Sequence, residues 1–247
     1  IRRMNQSEFT EKNLRSPLLG AHGSDRALLI WDVKEKPKHS PLEWSAGPKI
    51  MPAPVELDLL SMVDPERHGE VGEWNRSGTE INLVADKSSM LRLPADIRDS
   101  YELEVEFTRS SGRESVDIVL PLGHSWVKMF FSYGGGKLHA IESLDGKAGN
   151  WTKHSVQPGR LENGRKYAAW ARIRVAGENG AVEIELDGKR LIEWEGKIPD
   201  KTLAKLGVSN PWQAGLGGNK SEITFHRATL RMLDGHAAVR EKKPSAR

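Results

Sequence analysis

The chain has no cysteine. That excludes disulfides, thiol nucleophiles and cysteine-ligated zinc, and it leaves the compartment open because many secreted domains also lack cysteine. Long apolar runs are missing too. None approaches the ~20 residues that a helix needs to cross a bilayer, so no membrane span is expected. No segment has a convincing helical apolar stripe; residues 199–206 have room for one or two turns at most. The eight histidines never stand as HxH or HExxH, and no metal or cofactor is called for. A calcium ion held by loop carbonyls and Asp117 or Asp145 stays compatible with the sequence.

Further absences narrow the chemistry. Ser, His and Asp are all present, but no GxSxG elbow exists to place a nucleophile. The glycine clusters at 134–136 and 215–218 lack the strand–loop–helix context of a phosphate loop, and they suit bulges and close backbone approach instead. The net charge is only +3 with a pI near 9.0. Cations and anions alternate except in the tail after Asp234, so no basic stripe tracks a phosphate backbone and nucleic acid is not an expected partner. The first residues, Ile1-Arg2-Arg3, read as a cut from something longer.

What is present is turn-rich and alternating. At 247 residues with 24 Gly and 13 Pro, the chain can bury one large all-β core. The clearest piece is AVEIELDGKRLIEWE (181–195). Val182, Ile184 and Leu186 face one way and Glu183 and Glu185 the other, and Asp187-Gly188 suits a tight hairpin turn with positive φ. An antiparallel hairpin with one dry face needs a second sheet to cover it.

Similar short strands follow at intervals of about ten residues. They are expected at 55–60, 72–76, 80–84, 89–93, 101–108, 115–120, 125–133, 137–142, 168–175, 213–217 and 222–233. The spacing predicts an all-β antiparallel sandwich over residues 55–233. Before it stand residues 1–33, the possible remnant of an upstream domain, and an extended Pro-rich linker, 34–54. After it comes a basic tail, 234–247, expected to be disordered.

Two resemblances add to this reading. GAHGSDRALLIWDV (20–33) resembles one strand of a WD-repeat blade. The series "ELDLLSMVDPERHGEVGEWNRSG", "SYELEVEFTR", "VDIVLPLG", "LENGRKYAAWARIRV", "VEIELDGKRLIEWEG" and "GLGG…ITFHRATLRML" resembles the concanavalin A-like, laminin G-like jelly-roll domains of large multidomain bacterial proteins. The resemblance covers about residues 55–233. It implies two curved sheets face to face, ligand on the concave sheet or its rim loops, and a location outside the cytoplasm. Fold is what it supports; ligand it does not decide.

Three functions compete. The first is a non-catalytic recognition module, with carbohydrate or another polymer as partner. Eight Trp stand against three Tyr. Trp126 and Lys128 alternate away from the Val127/Met129/Phe131 face, Trp151 and His154 fall in a loop, and Trp212 follows Asn210-Pro211. Aromatic faces beside Asn, His and Lys suit sugar rings, although each Trp also suits plugging an end of the sandwich.

The second is a glycan-active hydrolase using Glu183 and Glu185. Side chains at i and i+2 lie roughly 6.5–7 Å apart, near the ~5–5.5 Å of a retaining carboxylate pair. The jelly-roll glucanases, however, carry Asp in the middle and Glu last in their acid–x–acid–x–acid strand, whereas here Glu185 is central and Asp187 last. Cross-strand pairing with Arg172 and Arg174 accounts equally for the acids. The third is a structural domain that packs against partner domains or subunits.

Overall fold

The computed structural model describes residues 18–22, 26–30, 56–85, 87–142, 144, 154–199 and 210–239. The chain divides into two units, Ile1–Gly47 and Pro48–Arg247. The first holds an antiparallel hairpin, β1 (Leu18–His22) and β2 (Arg26–Ile30), with Leu18 opposite Ile30. The Trp31-Asp32 end of the blade-like motif lies outside the described residues.

The second unit is two antiparallel sheets. The eight-stranded one contains β3 (Glu56–Asp58), β5 (Glu73–Ser77), β6 (Glu80–Ala85), β8 (Tyr101–Gly112), β12 (Lys166–Ala176), β13 (Asn179–Leu186), β14 (Lys189–Lys197) and β16 (Ser221–Met232). Its order is β14-β13-β12-β8-β16-β6-β5, with β3 also on β16. The seven-stranded one contains β4 (Gly69–Val71), β7 (Ser89–Ile97), β9 (Val116–Leu122), β10 (Ser125–Ser132), β11 (Leu138–Glu142), β15 (Gln213–Gly218) and β17 (Ala237–Val239). Its order is β11-β10-β9-β15-β7-β17, with β4 also on β7. This is a jelly-roll β-sandwich of the concanavalin A-like kind.

Alternation explains the two layers. Leu103, Val105 and Phe107 of β8 and Ile118, Met129 and Phe131 of the facing sheet are buried in one core. Rings at its centre stack and tilt, Phe107 lying 5.8 Å from both Phe131 and Tyr167. An apolar void of about 10 Å³ lies among Leu103, Ile118, Met129 and Ala171, no larger than one water. Between the layers Tyr101 donates its hydroxyl to the Pro121 carbonyl at 3.0 Å, and burial pushes that phenol well above its ordinary pKa. The hairpin turn is as expected: Asp187 and Gly188 have φ of 50° and 73°.

The sandwich runs past Leu233. β17 pairs with β7 through Ala237 opposite Ile97, so this part of the expected tail is sheet. A single helical turn, α1 (Pro65–His68), interrupts the entry. Two short strands, β4 and β17, escaped the alternation because three residues hold too little of it. No helix among the described residues is long and apolar enough to cross a membrane.

Candidate functional site

The two outer faces differ in kind. On the eight-stranded sheet, acids and cations alternate across strands and neutralise each other. Arg172 holds Glu102 at 2.6 Å, and Arg231 reaches the same carboxylate at 3.3 Å. Arg227 pairs with Glu104 and also with Glu106, while Lys166 pairs with Glu106. Those cations hold the Glu106 carboxyl below its ordinary range, the Lys166 hydrogen bond first.

Glu183 and Glu185 belong to this ladder. Arg190 bridges them at 3.2 and 3.0 Å, and Arg174 meets Glu183 at 3.2 Å. Arg172, an expected partner of these acids, serves Glu102 instead. Asp187 accepts the Ala168 amide at 2.9 Å and Arg165 at 2.7 Å, which ties it to the turn. The acid row thus lies on a wet, cation-lined sheet face, and neither cavity described is lined by it.

The outer face of the seven-stranded sheet holds the other candidates. Trp126 does point away from the inter-sheet core, as its alternation requires, but it is 0 % exposed and packs with Val119 and Met90. It is therefore not an open stacking platform. The cause lies on β15. Gly215 stands between Val119 and Arg92, and Gly217 between Asp117 and Met90. A Cβ on Gly215 would fall 2.8 Å from Met90 Sδ and 3.2 Å from Arg92 Nη1. Without side chains there, Met90 and Arg92 lie over the strand and build a small outer core.

A Cβ on Gly217 would sit 2.3 Å from the Ser89 carbonyl oxygen. Gly217→Ala is expected to cost about 1–3 kcal/mol through forced backbone shifts. A urea midpoint equal to wild type would contradict this packing of β15 on β7.

Lys128, two residues along from Trp126, pairs with buried Asp117 at 2.8 Å. Asp117 stands within β9 rather than in a loop, and a cation already holds it, so it is not the loop calcium ligand the sequence allowed; Asp145 lies outside the described residues. No three His, Asp or Glu side chains among the described residues are grouped as metal ligands would be. Trp151 also lies outside the described residues. His154 is half-buried in the segment that bridges to β11 through Val156 and His139. From β11 to β15 is three strand spacings, roughly 14 Å, so His154 and Trp212 are not neighbours.

Trp212 is the candidate with company. It is half-buried just before β15, and the Arg98 guanidinium lies 3.8 Å from its ring centroid. Asn210 donates its amide to Asp96 Oδ1 at 3.0 Å and accepts the Trp212 backbone N–H at 3.0 Å. Gln213 stands opposite Asp96 in the β15–β7 ladder. Asn210 then keeps one amide N–H and one carbonyl lone pair for another partner. Indole, guanidinium, amide and carboxylate thus meet at one end of the sheet. Asp96 and Arg98 were invisible as site residues because they lie more than a hundred positions from Trp212; only the strand register brings them there.

Neither a family profile nor a curated protein sequence matches the chain. Solved structures resemble it in fold. A carbohydrate-binding module, CBM66 from Bacillus subtilis, is 11 % identical with a TM-score of 0.42, over 69 % of this chain and 93 % of that one. Peanut lectin bound to a nine-residue peptide is 10 % identical with a TM-score of 0.47, over 74 % and 98 %. The exoplasmic/lumenal domain of VIP36, in a form bound to calcium and Man3GlcNAc, is 11 % identical with a TM-score of 0.48, over 76 % and 93 %. At these scores the ligands of those proteins say nothing about this one, whose own residues have to supply the case.

Proposed function

We propose that the sandwich is a recognition module that binds carbohydrate at the rim of its seven-stranded sheet, with Trp212 as the stacking residue. The observation behind it is the Trp212 cluster. An indole held flat by Arg98 offers apolar surface to the C–H face of a sugar, while Asn210 offers a donor and an acceptor to its hydroxyls. Lys128 and Trp126 belong to the floor of the same sheet, two strand spacings away or about 10 Å. They support the rim rather than touch ligand. Binding without cleavage fits the acid row, since Glu183 and Glu185 are engaged by Arg190 and Arg174 on the opposite sheet.

The test is gel retardation of the protein by a panel of soluble glucans, xylans, mannans and galactans. At least one polysaccharide should retard the wild type. Trp212→Ala should weaken that binding about tenfold or more, or ~1.4 kcal/mol, and Asn210→Ala by less. Retardation by none of the panel, or full retardation of Trp212→Ala, would overturn the reading.

A further inference from the structure

On the outer face of the eight-stranded sheet three side chains stand in line. His226 Nδ1 lies 2.7 Å from Glu80 Oε1, and His226 Nε2 lies 2.8 Å from Thr108 Oγ1. Their chemistry fixes the bond directions when the imidazole is neutral. An ionised Glu80 only accepts, so Nδ1 carries the proton and donates it. Nε2 then presents its lone pair, and the Thr108 hydroxyl donates to it.

A defect in the sheet creates this alignment. Along the β16–β8 ladder the register slips between Phe225 and Arg227, which leaves His226 as the extra residue of a β-bulge. Bulges re-aim side chains. The β6 ladder ends at Ile81 opposite Phe225, which sets Glu80 beside the bulge. Thr108 comes from β8, where its cross-strand partner on β12 is Lys166, so a cation shares its face. His226 is 21 % exposed and Glu80 43 %; solvent reaches the group.

We propose that Thr108, His226 and Glu80 form an acyl-transfer relay for small carboxylic esters, independent of the sugar-binding rim on the other sheet. Hydroxyl, base and orienting carboxylate within hydrogen-bond reach are the geometry of an activated nucleophile. Thr108 Oγ1 bonds to the ester carbonyl carbon as its proton passes to His226 Nε2. The carbon–oxygen bond to the alcohol then breaks, and the alcohol leaves with that proton. Water attacks the acyl-threonine and gives a proton to Nε2. The acyl–Oγ1 bond breaks, Thr108 takes the proton back, and a carboxylic acid is released. Glu80 is a positioning residue, acting only through His226.

The full chain is incubated with p-nitrophenyl acetate, nitrophenol release is followed, and acetylated peptides are located by mass spectrometry. The wild type should show a burst with the acetyl group on Thr108. Thr108→Ser should retain the burst and Thr108→Val abolish it. His226→Gln should slow acetylation of that residue about 100-fold or more. Glu80→Gln should lower the rate with an unchanged melting temperature, and Glu80→Asp should recover part of it. Acetyl groups on lysines alone, or acetylation of Thr108 in His226→Gln at the wild-type rate, would overturn the proposal; far-ultraviolet spectra matching the wild type exclude misfolding as the cause of any loss.

Discussion

Replacing Arg109 with leucine is expected to destabilise the sandwich by about 3 kcal/mol or more. Arg109 occupies a core-facing position of β8, in step with Leu103, Val105 and Phe107, and it is 3 % exposed. Among the described residues no carboxylate holds its guanidinium. Instead it donates to Asn163 Oδ1 at 2.7 Å, the Glu114 carbonyl at 2.8 Å, Ser132 Oγ at 2.9 Å and the Leu161 carbonyl at 2.7 Å. Burial pulls its pKa below the ordinary value. Ser132 ends β10 of the opposite sheet, and Leu161 and Asn163 precede β12. The side chain therefore clamps one end of both layers. Leucine fills part of the volume but leaves several buried acceptors unpaired, each costing about 1–3 kcal/mol. Arg109→Lys keeps the charge with fewer, unforked donors and should fall between. Urea unfolding of the three proteins measures this; a leucine variant within about 1 kcal/mol of wild type would show that the clamp contributes little.

Acid should weaken the fold through His139. This imidazole is 6 % exposed and packs edge-on against Phe131, ring centroids 5.9 Å apart. Burial, with a smaller contribution from the charge on Lys189, lowers its pKa from 6.5 to about 4. The neutral form is thus the one the native state favours. Between pH 6.5 and about 4 the unfolded chain binds the proton more readily, so stability is complete above 6.5 and falls as the pH is lowered through this window. A shift of this size corresponds to about 3 kcal/mol in full, most of it lost by pH 4.5. The comparison that isolates it is His139→Gln, which cannot titrate. Urea unfolding at pH 7 and pH 4.5 should show a wild-type loss larger than the variant's by about 2–3 kcal/mol. Equal losses would mean that His139 is protonated without penalty.

Most strands were legible because alternation is a local property. Leu103, Val105 and Phe107 declare a dry face within seven residues, and Asp187-Gly188 declares a turn within two. The same local rule stopped β8 at Thr108, since a cation at the next inward position looks like an exit; only the carbonyls around Arg109 make it a core residue. The burial of Trp126 was illegible for a related reason. Its direction followed from β10 alone, but its cover depends on Met90 crossing Gly215 and Gly217 of a distant strand. Glu183 and Glu185 were readable as a wet row, and the partner missed was Arg190, one turn away across the hairpin. The Trp212 cluster was half legible. Asn210 and Trp212 are neighbours in sequence, whereas Asp96 lies 114 residues from Asn210 and arrives through the pairing of β15 with β7.

Ligand is expected to meet the sheet rim at Trp212 and to leave the buried Trp126 untouched. Nuclear magnetic resonance of protein labelled at the indole nitrogens, titrated with the polysaccharide that retards it best, tests this directly. The Trp212 indole signal should move progressively with ligand while that of Trp126 stays in place. Movement of Trp126 with Trp212 unchanged would contradict it.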